Sequence, residues 1–322
     1  MNEMSRIERM EKLFSGEVLD RPPFTMFFHL AHHHFDNIPD PHIFFSNMEL
    51  RLFDTYQFDF IKVMNDFPYP MPQGIDIINS PKDLFEMTKI DLLGSPFHHQ
   101  LNALEILNKE LMGKRDCPFW DTLFNPWFTI RRHILGDDIY TYMESHKEEL
   151  HYALKVVAEN SINYAAASIK RGAQAIFFSV PASSEYVTRE EYENFMKPFD
   201  LHLLNGIRNK INDPRIILHL HGSEETYFNE VLEYQPDGIS WQDQLATPSI
   251  VEARKLYDGV LMGGIDHKAI NYLPFSRLKD QIITAKKQGG NKRFILAPGC
   301  VIPSHCPKRV IQIASKFAQA AD

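Results

Sequence analysis

The second half of the sequence contains a regular series of short apolar runs, and this series restricts the fold more than any other feature. Each run is too short for a helix, lacks helical periodicity and is bounded by glycine, proline, aspartate or other polar residues. The runs are Ala175–Val180, Ile216–His221, Gly238–Trp241, Val260–Gly264 and Phe294–Pro298. Strands of a parallel sheet are buried on both faces and read as continuous apolar runs. The series therefore predicts successive buried, parallel strands.

The segments between these runs have the spacing of amphipathic helices. In the first of them, Thr188 and Glu191 form the pattern of a capping box, in which each side chain bonds the backbone of the other residue. Helical spacing also occurs in residues 188–210, 224–234, 247–257, 274–288 and 308–321. Strand-to-strand offsets of roughly 20 to 40 residues match repeated strand–helix units.

The first half of the chain extends this pattern less regularly. Phe24–Leu30 and Phe60–Met64 are predicted strands. Asn102–Met112 and Lys147–Lys170 have helical spacing, and the first residues alternate charged and apolar side chains as in an amphipathic helix. No linker or change of composition divides the chain. We therefore predict an α/β fold with one domain over residues 1–322: a distorted TIM-type (β/α)8 barrel with an N-terminal helical extension, with a doubly wound sheet as the alternative.

Charge and cysteine content exclude several classes of function. The formal net charge is −8 and no Lys/Arg-rich stretch occurs, whereas nucleic acids and anionic membranes bind basic surfaces. The apolar stretches are far shorter than a membrane span, and glycine-rich phosphate loops are absent. The three cysteines, Cys117, Cys300 and Cys306, cannot all pair, which favours a reducing compartment. We expect a cytoplasmic protein without a nucleic-acid or membrane partner.

Polar residues follow the predicted strands, at the edge where barrel enzymes have their active sites. They are His29, Asp66, Ser179, His221, Asp243, Asp266 and Cys300. Because every loop after a strand begins with some polar residue, a structural role is the alternative at each position. We predict that Asp66 and His29 are catalytic and manage protons. We also predict that Ser179, Asp243 and Asp266 contact the substrate.

His219, His221 and Cys300 form the most informative combination. Residues at i and i+2 of a strand point to the same side, so His219 and His221 share one face. If that face looks into the mouth of the barrel, the imidazoles converge and Cys300, after the last strand, can join them. Two nitrogens and one thiolate with an open fourth position are a typical catalytic zinc site. The alternative is a hydrogen-bonded core histidine and a buried free cysteine.

Six motifs in the same order resemble the uroporphyrinogen decarboxylase superfamily over nearly the whole chain. They are Asp20–Pro23, Phe58–Asp66, Gly172–Ser179 followed by Glu191–Pro198, His219 with Gly222, Met262–Asp266 and Gly299–Pro303. No single motif is specific, whereas their order is. The resemblance implies a distorted TIM-type barrel, and it implies a homodimer because homodimers are common in this family.

The resemblance leaves two activities open. True uroporphyrinogen decarboxylases have an arginine-rich loop after the first strand, of the form RQAGR, that binds the carboxylates of the substrate. Residues 26–35 of this chain contain no arginine, and a polycarboxylate would lose its bidentate partners there. Metal-free decarboxylation of a tetrapyrrole is therefore the alternative activity, with Lys62, Arg131 and Arg132 as replacements for the missing arginines.

The other branch consists of cobamide-dependent methyltransferases, which transfer a methyl group from a methylated corrinoid protein to a thiol. Their zinc ligands follow a His-x-Cys…Cys pattern, which His219, His221 and Cys300 match except that the middle ligand is histidine. The resemblance thus implies a zinc-dependent methyltransferase with a corrinoid protein as partner and a thiol as acceptor. A barrel that binds a tetrapyrrole or corrinoid without catalysis is a third alternative.

Overall fold

Seven parallel strands form one sheet at the centre of the protein, in which every strand pairs with the next one along the chain. A computed structural model describes residues 3–30 and 38–320. The strands are β1 (Ile61–Val63), β2 (Phe119–Phe124), β3 (Ala175–Val180), β4 (Ile216–Leu220), β5 (Gly238–Trp241), β6 (Val260–Ile265) and β7 (Phe294–Pro298). Sequential parallel order with intervening helices is the topology of a TIM-type barrel. The predicted fold class is confirmed, and so are the five strands of the second half.

Residues 23–27 occupy the position of the eighth strand, between β7 and β1. The backbone N–H of Thr25 donates to the carbonyl of Leu296 at 3.3 Å. The hydroxyl of Thr25 donates to the carbonyl of Phe60 at 2.8 Å on the other side. On that side the backbone N–H of Asp59 also donates to the carbonyl of Phe24 at 2.9 Å, but these residues form no strand ladder with β1. The prediction of a regular strand over Phe24–Leu30 is therefore wrong, since only its first residue forms a bridge.

Helices lie between the strands, and most of the predicted helical segments are confirmed. In the described part of the chain they are α1 (Arg6–Ser15), α2 (Pro41–Tyr56), α3 (Phe97–Leu107), α4 (Gly113–Arg115), α5 (Pro126–Ile130), α6 (Ile139–Ser145), α7 (Lys147–Lys170), α8 (Arg189–Phe195), α9 (Lys197–Lys210), α10 (Ile250–Leu256), α11 (Phe275–Gly289) and α12 (Lys308–Gln319). Short 3-10 helices occupy Pro81–Glu86, Gly136–Asp138 and Glu230–Tyr234, and π-helical turns occupy Asn108–Met112 and Arg131–Leu135. Thr188 and Glu191 form the expected capping box before α8. Over residues 3–30 and 38–320, no helix is both long and apolar enough to cross a bilayer.

The helix predicted over residues 224–234 is wrong for most of its length. Only Glu230–Tyr234 is helical, as a short 3-10 helix. The preceding residues bond to the loop after β3 instead, where the N–H of Tyr227 donates to the carbonyl of Ala182 at 2.8 Å. These tertiary hydrogen bonds compete with the helical ones and override the local spacing.

Strand β2 is absent from the sequence prediction because polar residues interrupt its apolar run. Asp121 lies in the middle of the strand and is fully buried. Its carboxylate accepts hydrogen bonds from Gln100 at 2.9 Å, from Tyr164 at 2.7 Å and from Ser168 at 2.8 Å. Three partners from two helices thus make a buried carboxylate tolerable in a strand.

Alternate residues of each strand point into the barrel, so one face of every strand builds both the interior and the mouth. The apolar interior includes Trp120, Phe177, Ile217, Met262 and Ile295. Two residues further along, the same face of β3 carries Ser179 and that of β4 carries His219, which are paired in register. The polar mouth therefore lies directly above the apolar interior.

Candidate active site and metal centre

Three side chains converge at the carboxyl ends of β4 and β7. One ligand atom each from His219, His221 and Cys300 lies within 4.8 Å of the other two. The Cys300 Sγ is 3.5 Å from the Nδ1 of His221. A tetrahedral zinc ion with bonds of about 2.0 Å to nitrogen and about 2.3 Å to sulfur separates these two atoms by about 3.5 Å. The three residues, which we call the ligand triad, therefore fit a zinc ion.

Two glycines determine where the loop members of the triad lie. Gly222, directly after His221, has a φ of +136°, and a Cβ there would lie 2.0 Å from the hydroxyl oxygen of Ser183. A Cβ on Gly299, directly before Cys300, would lie 2.7 Å from the Cα of Gln242. A side chain at either position would therefore displace the backbone that carries an adjacent ligand.

His219 is positioned by a residue of the neighbouring strand. Its ring is almost fully buried, and its Nδ1 is 3.2 Å from the hydroxyl oxygen of Ser240, which is its register partner on β5. When Nδ1 carries the proton and donates it to Ser240, Nε2 is left free for a metal. Sequence reasoning did not single out Ser240. The only signal for it is that it lies on an adjacent strand at the level of His219.

Burial sets the protonation of the ligand triad. It lowers the pKa of His221 to about 4 and that of His219 well below its usual value. Both imidazoles are therefore neutral near pH 7, which is the form that binds metal. Burial raises the pKa of the Cys300 thiol, so metal binding would release a proton from this residue.

His29 and Asp66, which were predicted to be catalytic, form a hydrogen-bonded pair. The Nδ1 of His29 is 2.8 Å from Asp66 Oδ1, and the other carboxylate oxygen accepts from the N–H of Leu30 at 2.8 Å. Burial raises the pKa of Asp66, but the bonds to His29 and Leu30 outweigh it and make the pKa lower than usual. Asp66 is therefore ionised and fixes the His29 ring.

The ligand triad faces a cavity of about 240 Å³. His29 and Ser179 line this cavity together with the triad. Four aromatic rings, those of Phe27, Phe124, Phe128 and Phe177, form part of its remaining walls. The structure thus brings His29, Ser179 and the triad into one space, with Asp66 behind His29.

Asp243 and Asp266, which were predicted to contact substrate, do not line this cavity. The carboxylate of Asp243 accepts from the N–H of Gly264 at 2.9 Å and from the side chain of Gln244 at 2.7 Å. One carboxylate oxygen of Asp266 accepts from two backbone N–H groups of the following turn, at 2.9 and 3.0 Å. Their carboxylates thus bind backbone N–H groups at the ends of β5 and β6. The histidines at positions 32–34 lie outside the described residues.

Two of the three cations that the decarboxylase alternative needs, Lys62 and Arg132, line the cavity. Arg131 does not, and it pairs with Asp137 at 2.7 Å near the surface. Arg132 belongs to the π-helical turn Arg131–Leu135, a local geometry that is frequent at functional sites. The sequence analysis predicts Lys62 and Arg132 as candidates, but no sequence pattern indicates the π-helical turn.

Fold and site together define a TIM-type barrel with a candidate His-His-Cys metal centre at the carboxyl ends of its strands. The profile of the family described as Uroporphyrinogen decarboxylase (URO-D) matches residues 67–320. The chain belongs to this family, as its motifs indicate.

Solved structures agree with this fold. A methyltransferase from Methanosarcina mazei is similar, with a TM-score of 0.78 and 18% identity over 98% of both chains. A Listeria monocytogenes protein, named as a candidate vitamin-B12-independent methionine synthase, has a TM-score of 0.55 and 10% identity, covering 92% of this chain and 95% of its own. At such identities the similarities concern the fold alone. No curated protein sequence matches the chain significantly.

Proposed function

We propose that the protein is a zinc-dependent methyltransferase that transfers a methyl group to a small thiol, with a methylated corrinoid on a partner protein as donor. The observation that carries this proposal is the convergence of His219, His221 and Cys300 beside a cavity. Catalytic zinc sites have three protein ligands and one open position. Family membership is compatible with both branches, and the similarity of fold to the Methanosarcina mazei methyltransferase agrees with this one.

The residues of the chain have distinct roles in this reaction. When bound, zinc would lower the pKa of a thiol at the open position. His29 is placed to accept the thiol proton, because Asp66 holds its Nδ1 and its ring lines the cavity. The thiolate sulfur then forms a bond to the methyl carbon, and the electron pair of the broken bond remains on the donor. The aromatic walls reduce the access of water to the thiolate.

The size of the cavity favours a small acceptor over a tetrapyrrole. Its volume is about 240 Å³, whereas pockets for drug-sized molecules occupy ~300–1,000 Å³. A tetrapyrrole is larger than such molecules. The donor would therefore present its methyl group at the mouth of the barrel and would not enter the cavity.

One experiment tests the metal centre directly. Zinc content is measured by plasma mass spectrometry on untagged wild-type protein, on Cys300→Ser and on the matched control Cys306→Ser, whose thiol is outside the cavity. We expect about one zinc per chain in the wild type and in the control, and loss of zinc in Cys300→Ser. A wild type that takes up no zinc, or full zinc in Cys300→Ser, contradicts the ligand assignment.

A second assay distinguishes the alternatives. Methylcobalamin and a thiol are supplied to the zinc-loaded protein, and the S-methyl product is measured by mass spectrometry. Uroporphyrinogen III is supplied in parallel. Formation of the S-methyl product that depends on Cys300 supports methyl transfer. Conversion of uroporphyrinogen by metal-free protein supports the decarboxylase, and cobalamin binding without either product supports a binding protein.

A further inference from the structure

The two histidines of the ligand triad are held in different ways. His219 lies inside β4, which pairs with β3 on one side and with β5 on the other. His221 lies one residue beyond the end of β4. Its N–H still donates to the carbonyl of Val180 at 2.9 Å, but the next residue, Gly222, turns the chain out of the sheet with a φ of +136°. The position of His221 therefore depends on contacts outside the sheet.

The loop after β3 supplies these contacts, and we call its residues 181–187 the clamp loop. The hydroxyl of Ser183, which is fully buried, donates to the carbonyl of His221 at 3.3 Å. One carboxylate oxygen of Glu185 accepts from the N–H of Ser223 at 2.6 Å and from its hydroxyl at 3.0 Å. The clamp loop thus bonds the backbone at the ligand itself and two residues after it.

Backbone hydrogen bonds attach the clamp loop to the loop after β4. The N–H of Ser184 donates to the carbonyl of Glu225 at 2.9 Å. The N–H of Tyr227 donates to the carbonyl of Ala182 at 2.8 Å. Because these bonds lie next to the two side chains that contact residues 221–223, they restrict the movement of those side chains.

The clamp loop also contacts the imidazole ring of the ligand. The ring centre of Tyr186 lies 5.5 Å from that of His221, and the ring centre of Phe128 lies 5.6 Å from it. Close packing against two aromatic rings restricts the tilt of the imidazole. The hydrogen bonds of Ser183 and Glu185 act on the backbone that carries it.

Glu185 is a strong acceptor because it is ionised. Burial raises its pKa, but the hydrogen bonds from Ser223 and the positive charge of Lys268 outweigh this effect and make the pKa lower than usual. Hydrogen bonds to a charged acceptor are stronger than those between neutral groups. The side chain is also exposed, so its replacement leaves no buried cavity.

We propose that Ser183 and Glu185 are positioning residues that hold His221 in place for the metal through the backbone of residues 221–223. They touch neither the metal nor the substrate. Without these bonds the loop after β4 can shift, and His221 and Cys300 lose the separation of 3.5 Å that fits zinc. This inference rests on the ligand assignment of the proposed function and extends it to a loop that carries no ligand.

The test measures zinc affinity by competition with a chromophoric chelator. We expect Glu185→Ala to bind zinc about fivefold to tenfold more weakly than the wild type. Glu185→Gln keeps an acceptor oxygen and should restore most of the affinity. The matched control is Glu224→Ala, which removes the same charge from the loop after β4 but loses only a bond from Ser184 at 3.3 Å. We expect this control to bind zinc like the wild type.

A double-mutant cycle determines whether the effect passes through His221. In a His221→Ala background, Glu185→Ala should cause no further loss of zinc affinity. The absorption spectrum of cobalt-substituted protein is an independent readout, because its d–d bands depend on the coordination geometry. We expect this spectrum to change in Glu185→Ala and not in Glu224→Ala. Circular dichroism verifies that the variants are folded.

Three results overturn the proposal. They are wild-type affinity in Glu185→Ala, an equal loss in Glu185→Gln, which would assign the effect to charge, and the same loss in the His221→Ala background. Ser183→Ala removes the bond at the ligand itself and should weaken zinc binding by a similar factor, so it decides the question if Glu185→Ala does not fold. These results leave zinc binding by the wild type, and with it the proposed function, intact. A wild type that takes up no zinc contradicts the ligand assignment and this inference together.

Discussion

His219 depends on a serine of the neighbouring strand for the orientation of its ring. We predict that Ser240→Ala lowers the affinity for zinc by about 10–100-fold, because the ring loses the hydrogen bond at Nδ1 that now spans 3.2 Å. The measurement is competition for zinc with a chromophoric chelator. Ser179→Ala is the matched control, because Ser179 is the register partner of His219 on β3, the other neighbour of β4. We expect this variant to leave the zinc affinity unchanged. Equal affinities in both variants would show that Ser240 does not orient the ligand.

The pair of His29 and Asp66 acts as a unit in the proposed reaction. We predict that Asp66→Asn lowers kcat/KM for methyl transfer by about 100-fold, because the ring of His29 loses the carboxylate that holds its Nδ1. His29→Ala should cost about as much, and the double variant no more than either single one. Zinc content should stay constant in all three. Additive losses in the double variant would contradict a shared role.

The sequence predicted the ligand triad, which the structure brings together, but not which of the other polar residues after the strands face the cavity. The shared orientation of His219 and His221 could be predicted, because strand periodicity places residues i and i+2 on one face. Asp243 and Asp266 occupy equivalent positions after strands, yet their carboxylates bond to nearby backbone N–H groups. Strand periodicity alone does not distinguish a carboxylate used for local hydrogen bonds from one that faces a cavity.

Among the elements, β2 shows the limit of hydrophobic patterns. Its central Asp121 accepts three side-chain hydrogen bonds in a fully buried position. These partners are far away in sequence, on α3 and α7, so no local pattern indicates them. Strands β3 to β7 contain no carboxylate, and their apolar runs were sufficient to predict them.

The buried carboxylate of β2 leads to a prediction on stability. Asp121→Ala leaves three buried donors without an acceptor, and we expect it to lower the free energy of unfolding by about 3–5 kcal/mol. Tyr164→Phe removes one donor and should cost about 1–2 kcal/mol. Urea unfolding followed by circular dichroism measures both. An Asp121→Ala protein within about 1 kcal/mol of the wild type would mean that the network adds little stability.

For the whole molecule, the order of the strands explains why the site forms where it does. On β3 and β4 the inward face carries apolar Phe177 and Ile217 first and then Ser179 and His219, and a parallel barrel brings such strand ends together at one mouth. The sequence predicted this arrangement from repetition of strand–helix units. It did not predict how residues 23–27 close the barrel, because their partners, Phe60 and Leu296, belong to two segments far apart in the chain.

The base of the barrel is held by an ionic network that connects it to α1. Arg9, which is 1% exposed, donates to Asp20 at 2.7 Å and to Asp59 at 2.6 Å. Asp59 also accepts from the N–H of Phe24 at 2.8 Å, at the start of the segment that closes the barrel. Burial raises the pKa of Asp20, but the bond to Arg9 and other hydrogen bonds outweigh it and lower the pKa to about 2.

This network makes stability depend on pH in a defined direction. The pKa of Asp20 is lower in the folded state, about 2, than in the unfolded state, about 4. Its stabilisation is therefore complete above pH ~4 and lost as pH falls toward ~2. We predict that Asp20→Asn lowers the free energy of unfolding by about 2 kcal/mol at pH 7. The difference from the wild type should shrink between pH 4 and 2 in urea unfolding. The control is Asp258→Asn, which removes an ion pair whose carboxylate is 95% exposed. It should change neither the free energy of unfolding at pH 7 nor its dependence on pH. A gap between Asp20→Asn and the wild type that stays constant down to pH 2.5 would rule out Asp20 as the titrating group.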